Sequence, residues 1–240
     1  PEQKRSMVDA LQEQGHTVTM TGDGVNDVLA LKRSDLGIAM GSGAPATRAV
    51  AQIVLMNNKW STLPQIVFEG RRVLGNIERV SDVFLTKSIY AMVISLATGV
   101  FGVAFPFQPI QLTLVSSITI GIPGFFLALM PNNDRFRPGF FRRVLLFAIP
   151  AGIVCAISAF ACYQVVTPQT GDTTAQTYAT VTLIIVALGV LLQSARPLNP
   201  IRIAVVLAMA AAFVGVLLIP PLSQFFSMTV TAEQPLLIAL

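Results

Sequence analysis

The sequence predicts a small α/β unit followed by a bundle of membrane-spanning helices. Only 12% of the 240 residues are charged, about half the share that is usual in a soluble domain, and the mean hydropathy is +0.69. Residues 1–82 contain 9 Lys or Arg and 9 Asp or Glu, whereas the longer remainder contains 7 Lys or Arg and 3 Asp or Glu. A purely soluble protein is therefore excluded. Because the excess positive charge is dispersed between apolar runs and forms no basic face, nucleic-acid binding is not expected.

Five apolar runs after residue 82 are long enough to span a bilayer, which takes about 20 residues in a helix. A sixth apolar run begins at about residue 236 and stops with the sequence, so we interpret it as a truncated span. These runs form a predicted transmembrane domain over residues 83–240. The five predicted spans are 83–105, 110–130, 144–166, 178–195 and 203–222.

Basic residues are found only in alternate loops of this predicted domain. The loops 106–109, 167–177 and 223–235 contain no Lys or Arg. Because Lys and Arg near span ends stay on the cytoplasmic side, residues 1–82 are predicted to be cytoplasmic. The basic residues of the other loops are Arg135, Arg137, Arg142 and Arg143 between the second and third spans, and Arg196 and Arg202 between the fourth and fifth.

Residues 1–68 have the pattern of an α/β domain. Helical periodicity and β-rich runs alternate with Gly-rich turns, which favours a parallel sheet with its working groups at the carboxyl ends of the strands. So few residues make only a small domain, and we expect further strands upstream. Residues 69–82 form a predicted stalk helix that runs without Pro into the first span. Helices are predicted at 3–14 and 25–32, and strands at 16–20, 36–40 and 53–56.

The most informative motif is Thr-Gly-Asp-Gly-Val-Asn-Asp at residues 21–27, after a predicted strand and at the start of a helix. Its glycines permit a tight turn, and Asp23 and Asp27 place two carboxylates about one helical turn apart. Hard oxygen ligands of this kind suit Mg²⁺ together with phosphate oxygens. An acidic turn that caps a helix, with Asp23 as N-cap, explains the same residues. The residue types alone leave both interpretations open.

The motif and its surroundings resemble the hinge region of the P-type cation-transporting ATPases. The similarity covers most of the first 80 residues, and overall it is to the bacterial calcium- and magnesium-pump branch. It implies a partial haloacid-dehalogenase-like phosphorylation domain in residues 1–68. The matching segments after the motif are Ala-Leu-Lys at 30–32, Asp35, Gly-Ile-Ala-Met-Gly at 37–41, Glu-Gly-Arg at 69–71 and Asn-Ile at 76–77.

The resemblance implies a role for each matching residue. Asp23 would hold Mg²⁺ in the phosphorylation site, and Asp27 and Asn26 would support this metal and phosphate site. Lys4 falls where the family has a phosphate-contacting lysine, so it would neutralise the phosphoryl group. A Mg²⁺ and a Lys together supply the positioning and charge stabilisation that phosphoryl transfer needs. The implied catalytic residues are Lys4, Thr21, Gly22, Asp23, Asn26 and Asp27.

The family's nucleophile, an aspartate in an Asp-Lys-Thr-Gly motif, does not occur in these 240 residues. The nucleotide-binding domain that would hold most of the ATP and the family's first four spans are not recognisable either. The resemblance therefore implies the C-terminal portion of a pump, from its fifth span to the start of its tenth. We expect this portion to need the N-terminal part of the same pump and to be inactive alone.

Polar residues inside the first two predicted spans are candidates for an ion path. Ser and Thr in a span also simply let helices pack closely, and that alternative stays open for the hydroxyls. Lys87 matches a lysine of the family's gastric proton pump and would act as a built-in counterion; it could equally snorkel to the interface. A proline such as Pro123 frees backbone carbonyls that can serve as cation ligands. The candidates are Lys87, Ser88, Ser116, Thr119 and Pro123.

The sequence thus predicts part of an integral membrane pump, in a bacterial plasma membrane, that moves a metal cation at the expense of ATP. Ca²⁺ is the first expectation, although neither of the first two spans contains Asp or Glu and, of the family's calcium ligands, only Thr119 is retained. Two alternatives remain: a non-catalytic or regulatory membrane protein that keeps a Mg²⁺-binding turn, and a phosphatase-like domain on a membrane anchor.

Overall fold

The computed structural model describes residues 2–130 and 138–229, and the chain divides into two units, Pro1–Glu69 and Gly70–Leu240. In the first unit, three parallel strands lie in the order β1-β2-β3, with Thr19 opposite Leu36 and Ile38 opposite Ile53. The predicted parallel sheet is confirmed. The elements are α1 Glu2–Glu13, β1 Thr19–Gly22, a 3₁₀ turn Val25–Asp27, α2 Val28–Arg33, β2 Leu36–Met40, α3 Pro45–Val50 and β3 Ile53–Leu55.

The start of the first strand differs from the prediction. Residues 16–18 were expected in a strand, but β1 begins at Thr19 because the preceding residues form the exit from α1. The His16 N–H donates to the Leu11 carbonyl at 3.1 Å, and the Val18 N–H donates to the Asp35 carboxylate at 2.8 Å. Backbone groups that are satisfied in this way do not pair with a neighbouring strand.

The sequence analysis also missed helix α3. Proline occupies its first turn, where its missing N–H costs nothing. The Thr47 side chain is completely buried, and its hydroxyl donates to the Gly24 carbonyl at 2.9 Å. This short helix therefore supports the loop that follows β1.

In the described part of the second unit and the helix that enters it, five helical stretches are long and apolar enough to cross a membrane, as predicted. The helix α4 runs from the predicted stalk residues into the first span without interruption and ends at Phe101, before the predicted end at residue 105. The second span comprises α5, a π-helical segment and α6. The helices are α4 Leu63–Phe101, α5 Pro109–Ser116, the π segment Ser117–Gly121, α6 Ile122–Leu129, α7 Phe140–Thr170, α8 Asp172–Ser194, α9 Pro200–Leu218 and α10 Pro220–Phe225.

Two predicted boundaries in the second unit are wrong. The predicted loop 167–177 is helical except at Gly171, whose φ of +81° separates α7 from α8. The predicted fifth span 203–222 is interrupted at Ile219, because Pro220 and Pro221 lack the N–H groups that would continue α9. Arg135, Arg137 and the sixth apolar run lie outside the described residues.

Candidate functional site

The loop after β1 holds most of the predicted catalytic residues. Gly22 ends the strand, and the chain then turns so that the Asp27 N–H donates to the Gly24 carbonyl at 3.0 Å. This 3₁₀ turn leads directly into α2. The site therefore lies at the carboxyl end of β1, the edge that the parallel sheet predicts.

The structure brings Lys4 and Asp27 together. Lys4 Nζ donates to Asp27 Oδ1 at 2.5 Å, and the Asp27 side chain is 8% exposed whereas that of Lys4 is 57% exposed. The Lys4 hydrogen bond lowers the pKa of Asp27, and the backbone N–H groups of Gly24 and Asp23 contribute to the same effect, although burial opposes it. Asp27 is consequently an ionised carboxylate that already has partners from α1 and from its own loop.

Close backbone approach explains two glycines at the site. A Cβ on Gly22 would lie 2.5 Å from Asp27 Cβ, and a Cβ on Gly43 would lie 3.0 Å from the Asp23 carbonyl oxygen. The loop after β2 also binds the Asp23 backbone, since the Ala44 N–H donates to the Asp23 carbonyl at 2.8 Å. The loop after β2 therefore packs closely against the Asp23 backbone and binds its carbonyl.

The side chains that the loop leaves accessible are those expected of a ligand site. Asp23 and Asn26 are exposed, and Thr21 is half-buried. Within the described residues no group of three or more His, Cys, Asp or Glu side chains gathers around one point. One exposed carboxylate, one engaged carboxylate and a nearby hydroxyl fit Mg²⁺, which binds one or two carboxylates and takes its other oxygens from phosphate and water.

In the apolar unit the structure joins two of the ion-path candidates. Lys87 Nζ donates to Ser116 Oγ at 2.7 Å, and Ser116 Oγ donates to the Leu112 carbonyl at 2.7 Å. This hydrogen bond directs Lys87 towards the second span. Ser88, in contrast, is exposed, and its hydroxyl donates to the Phe84 carbonyl at 3.2 Å within its own helix.

The remaining candidates lie in or beside the π segment that begins after Ser116. The Ile122 N–H donates to the Ser117 carbonyl, an i to i−5 bond. Thr119 is 1% exposed and its hydroxyl donates to the Val115 carbonyl at 2.8 Å. Pro123 is buried in the first turn of α6. Such π turns are rare and are found frequently at functional sites.

Sequence reasoning missed a polar network around the N-terminal half of α4. The buried Asn76 side chain donates to the carbonyls of Ala128 and Met130 at 2.9 and 2.8 Å, where α6 ends. Glu78 accepts two hydrogen bonds from Arg143 of α7, at 2.7 and 2.8 Å. The match of residues 76–77 to the family motif was the available signal, but it did not reveal which carbonyls Asn76 binds.

The amino-acid sequence is similar to those of known proteins. The sequence profile of the haloacid dehalogenase-like hydrolases matches residues 4–64. The chain is 50% identical over 235 residues to the calcium-transporting ATPase CtpE of Mycobacterium bovis. The aligned region covers 92% of the chain and 30% of that protein. The chain is 49% identical to the protein of the same name from Mycolicibacterium smegmatis, over 96% of the chain and 31% of that protein.

A third relative is the probable cation-transporting ATPase exp7 of Streptococcus pneumoniae, which is 40% identical over 66% of the chain and 21% of that protein. The similarity to these ATPases, together with the haloacid dehalogenase-like match and the candidate membrane helices, identifies an integral membrane protein of the P-type ATPase class. The resemblance inferred from the sequence is confirmed, and the chain corresponds to part of a P-type cation-transporting ATPase. It spans about 30% of the length of the relatives named calcium-transporting ATPase.

Proposed function

We propose that the complete protein is an ATP-driven cation pump that works through an aspartyl-phosphate intermediate, with Ca²⁺ as the transported ion. The similarity to calcium-transporting ATPases over nearly the whole chain supports this proposal most strongly. The phosphorylated aspartate and most of the ATP-binding surface belong to the N-terminal part of the pump. On this proposal the present 240 residues do not hydrolyse ATP alone.

The loop after β1 supplies the phosphate-binding half of the reaction. Asp23 presents its exposed carboxylate and Asn26 its amide, with the Thr21 hydroxyl and the Gly22 backbone beside the phosphoryl group. Asp23 and Asp27 would hold Mg²⁺, which would supply charge stabilisation for phosphoryl transfer. The Lys4–Asp27 ion pair positions the loop. The Lys4 side chain is partly exposed, so its positive charge can also neutralise the phosphoryl group.

The ion path on this proposal includes Lys87, Ser88, Ser116, Thr119 and Pro123. Lys87 directs its ammonium towards the second span rather than out to solvent, which supports a counterion role. Exposure of Ser88 makes it the weakest of these candidates. The alternation of basic loops supports an orientation with the first unit in the cytoplasm, and the similarity to bacterial ATPases supports a bacterial plasma membrane.

Acid-stable labelling of the complete protein by radioactive ATP tests the phosphoenzyme. We expect wild type to be labelled and Asp23→Ala to lose the label. Asp9→Ala is the matched control, since Asp9 is a carboxylate of the same unit that pairs on the surface with Arg5 and Arg33. An unlabelled wild-type protein would overturn the mechanism, and an Asp23→Ala variant labelled like wild type would overturn the role of Asp23.

ATPase activity of the complete protein across a panel of cations tests the ion. We expect Ca²⁺ to activate at the lowest concentration among Ca²⁺, Mn²⁺, Zn²⁺ and K⁺, each added with constant Mg²⁺. Activation by another member of the panel at lower concentration would reject Ca²⁺ but keep the pump. No activation by any of them would reject the pump itself.

A further inference from the structure

A half-buried carboxyl group lies where the stalk meets the membrane helices. Asp82 is the last residue of the predicted stalk, and it belongs to the same uninterrupted helix α4 as the first span. Its side chain lies against Ser194, a residue near the end of α8 that is 6% exposed. Neither the proposed phosphate chemistry nor the proposed ion path uses this carboxyl group.

The charged groups around Asp82 are engaged with other partners. Glu78, one turn earlier on α4, accepts two hydrogen bonds from Arg143 of α7, at 2.7 and 2.8 Å. The Arg79 guanidinium donates to the Asn76 side-chain oxygen at 3.2 Å. Both arginines act on Asp82 through their charge alone, and within the described residues no hydrogen bond or ion pair joins either of them to its carboxyl group.

The helices α8 and α9 bring no further charge to this carboxyl group. The residue of α8 that meets Asp82 is Ser194, through its neutral hydroxyl. The nearest cation on α9 is Arg202, whose Nη1 donates to the carbonyls of Ala195 and Pro197 at 3.3 and 2.6 Å. These bonds direct that nitrogen to the loop between α8 and α9.

The Ser194 hydroxyl faces two oxygens of α4. Its Oγ lies 3.1 Å from the Arg79 carbonyl oxygen and 3.4 Å from Asp82 Oδ2. A hydroxyl has one proton and two lone pairs, so two acceptors must share that proton while Asp82 is ionised. A protonated Asp82 can instead donate to Ser194, which then donates to the Arg79 carbonyl. Protonation of Asp82 therefore adds one hydrogen bond between α4 and α8.

The surroundings of Asp82 favour its protonated form. Burial raises the pKa of the carboxyl group to about 7, and the nearby Glu78 carboxylate adds to this effect. The hydrogen bond with Ser194 and the charges of Arg79 and Arg143 oppose the rise in pKa without cancelling it. An aspartate ordinarily titrates at about pH 4, so Asp82 changes its charge much closer to neutral pH than an exposed aspartate does.

We propose that Asp82 is a proton-binding site that fastens α4 to α8 while it is occupied. The ligand is a proton from the cytoplasmic side, and the site regulates the pump by pH. This inference rests on the proposed pump function, in which the stalk transmits movement to the first span. Loss of the proton removes a hydrogen bond between the two helices and places a negative charge beside Glu78, so it frees α4 to move.

The first test is the melting temperature of the complete protein in detergent, without added cation, from about pH 5 to about pH 8. Because the pKa is raised in the folded protein, the proton stabilises the fold at low pH, and this stabilisation is lost as the pH rises from about 4 to about 7. Asp82→Asn cannot ionise, and its amide N–H can still donate to Ser194. We expect the variant to melt like wild type at the acidic end and at a higher temperature from about pH 7 upwards.

Infrared difference spectra provide a signature that a merely structural role would not produce. The C=O band of a protonated carboxyl group should disappear from wild type as the pH passes about 7. The same change should be missing from Asp82→Asn.

The pH profile of cation-stimulated ATPase activity tests the regulation. At saturating cation and about pH 8 we expect Asp82→Asn to turn over about fivefold more slowly than wild type, the size expected of one hydrogen bond that is not released. At the acidic end of the range the two rates should agree.

Asp172→Asn is the matched control. Asp172 is a carboxylate of the same unit that also meets a hydroxyl, since Tyr163 donates to it at 3.3 Å, but it is exposed at the start of α8. We expect its melting temperature to differ from that of wild type by the same amount across the pH range, and its ATPase profile to follow that of wild type.

The outcomes separate the two proposals. Parallel melting curves for wild type and Asp82→Asn, or an infrared band that persists in wild type at about pH 8, would overturn the proton site whether or not the protein pumps. Identical ATPase profiles in an active pump would overturn the regulation and leave the pump function standing. If no cation stimulates wild type, the pump function and its regulation are wrong, whereas melting and infrared spectra still decide the proton site.

Discussion

Lys4 and Asp27, which are 23 residues apart in the sequence, form an ion pair of 2.5 Å between Nζ and Oδ1. The pair joins α1 to the turn that follows β1, and the Asp27 carboxylate also accepts N–H groups of that turn. Asp27 is buried in this arrangement, whereas Asp23 stays exposed. Lys4, to which the resemblance assigns a phosphate contact, is thus the ion-pair partner of the loop carboxylate in this structure.

Gly22→Ala should damage the phosphate loop. The new methyl group would lie 2.5 Å from Asp27 Cβ. Either the turn must therefore move, or the Asp27 side chain must move away from Lys4. Overpacking of this kind costs about 1–3 kcal/mol. We expect a lower melting temperature of the first unit and loss of most phosphoenzyme labelling in the complete protein.

The control for this change is Gly24→Ala, because the nearest atoms to its Cβ are 4.0 Å away and its φ of −101° suits any residue. Equal losses in stability for the two variants would contradict the steric explanation.

Acidification should weaken the loop through Asp27. Its pKa in the folded protein lies below the usual value of an aspartate, first because Lys4 donates a hydrogen bond to it. A depressed folded pKa contributes stability that is present above the unfolded pKa and is lost as the pH falls through the folded one. Lys4→Met should therefore flatten the decline in stability below about pH 4.

Hydrogen exchange of the β1 and β2 amides across that pH range, corrected for intrinsic exchange, measures this effect. Asp35 also has a lowered pKa, chiefly because the Val18 N–H donates to it, so the difference between wild type and Lys4→Met isolates Asp27. Identical pH profiles for the two proteins would show that Lys4 does not set the pKa of Asp27.

Lys87→Met should increase the apparent affinity of the pump for its cation. Removing a positive charge from the face of α4 that meets Ser116 removes a repulsion, and a charge pair in such surroundings is worth about 1–4 kcal/mol at contact distance. We expect at least about a fivefold decrease in the half-activating concentration.

Cation-stimulated ATPase activity measures this change, with Lys59→Met as control, because Lys59 is exposed in the first unit. An unchanged half-activating concentration for Lys87→Met would contradict the counterion role and favour a lysine that only anchors the helix.

Gly152→Ala should separate α7 from α4. The Cβ of the new alanine would lie 2.6 Å from Ile89 Cγ2 and 3.0 Å from the Thr86 carbonyl oxygen. Because the Thr86 carbonyl belongs to the backbone of a helix, it cannot shift as a flexible side chain could. We expect a loss of about 1–3 kcal/mol, seen as a lower melting temperature in detergent.

Gly189→Ala on α8 is the matched control. A Cβ at Gly189 has nothing within 4 Å, so the better helix propensity of Ala should leave stability unchanged or improved. If Gly152→Ala melts like Gly189→Ala, the close approach of α7 to α4 is not important for stability.

The sequence by itself determined the α/β unit followed by membrane helices and the class of protein. Alternation of strand and helix patterns predicted the parallel sheet, and the lengths of the apolar runs predicted five membrane helices. The motif at residues 21–27 pointed to the family through its resemblance to the hinge region of the P-type ATPases. Periodicity failed where a break depends on one residue, as at Gly171 and Pro220.

Only the tertiary structure decided which side chains meet. Periodicity shows which face of a helix is apolar but not which neighbour covers that face. The pairs Lys4 with Asp27 and Lys87 with Ser116 therefore had no signal in spacing.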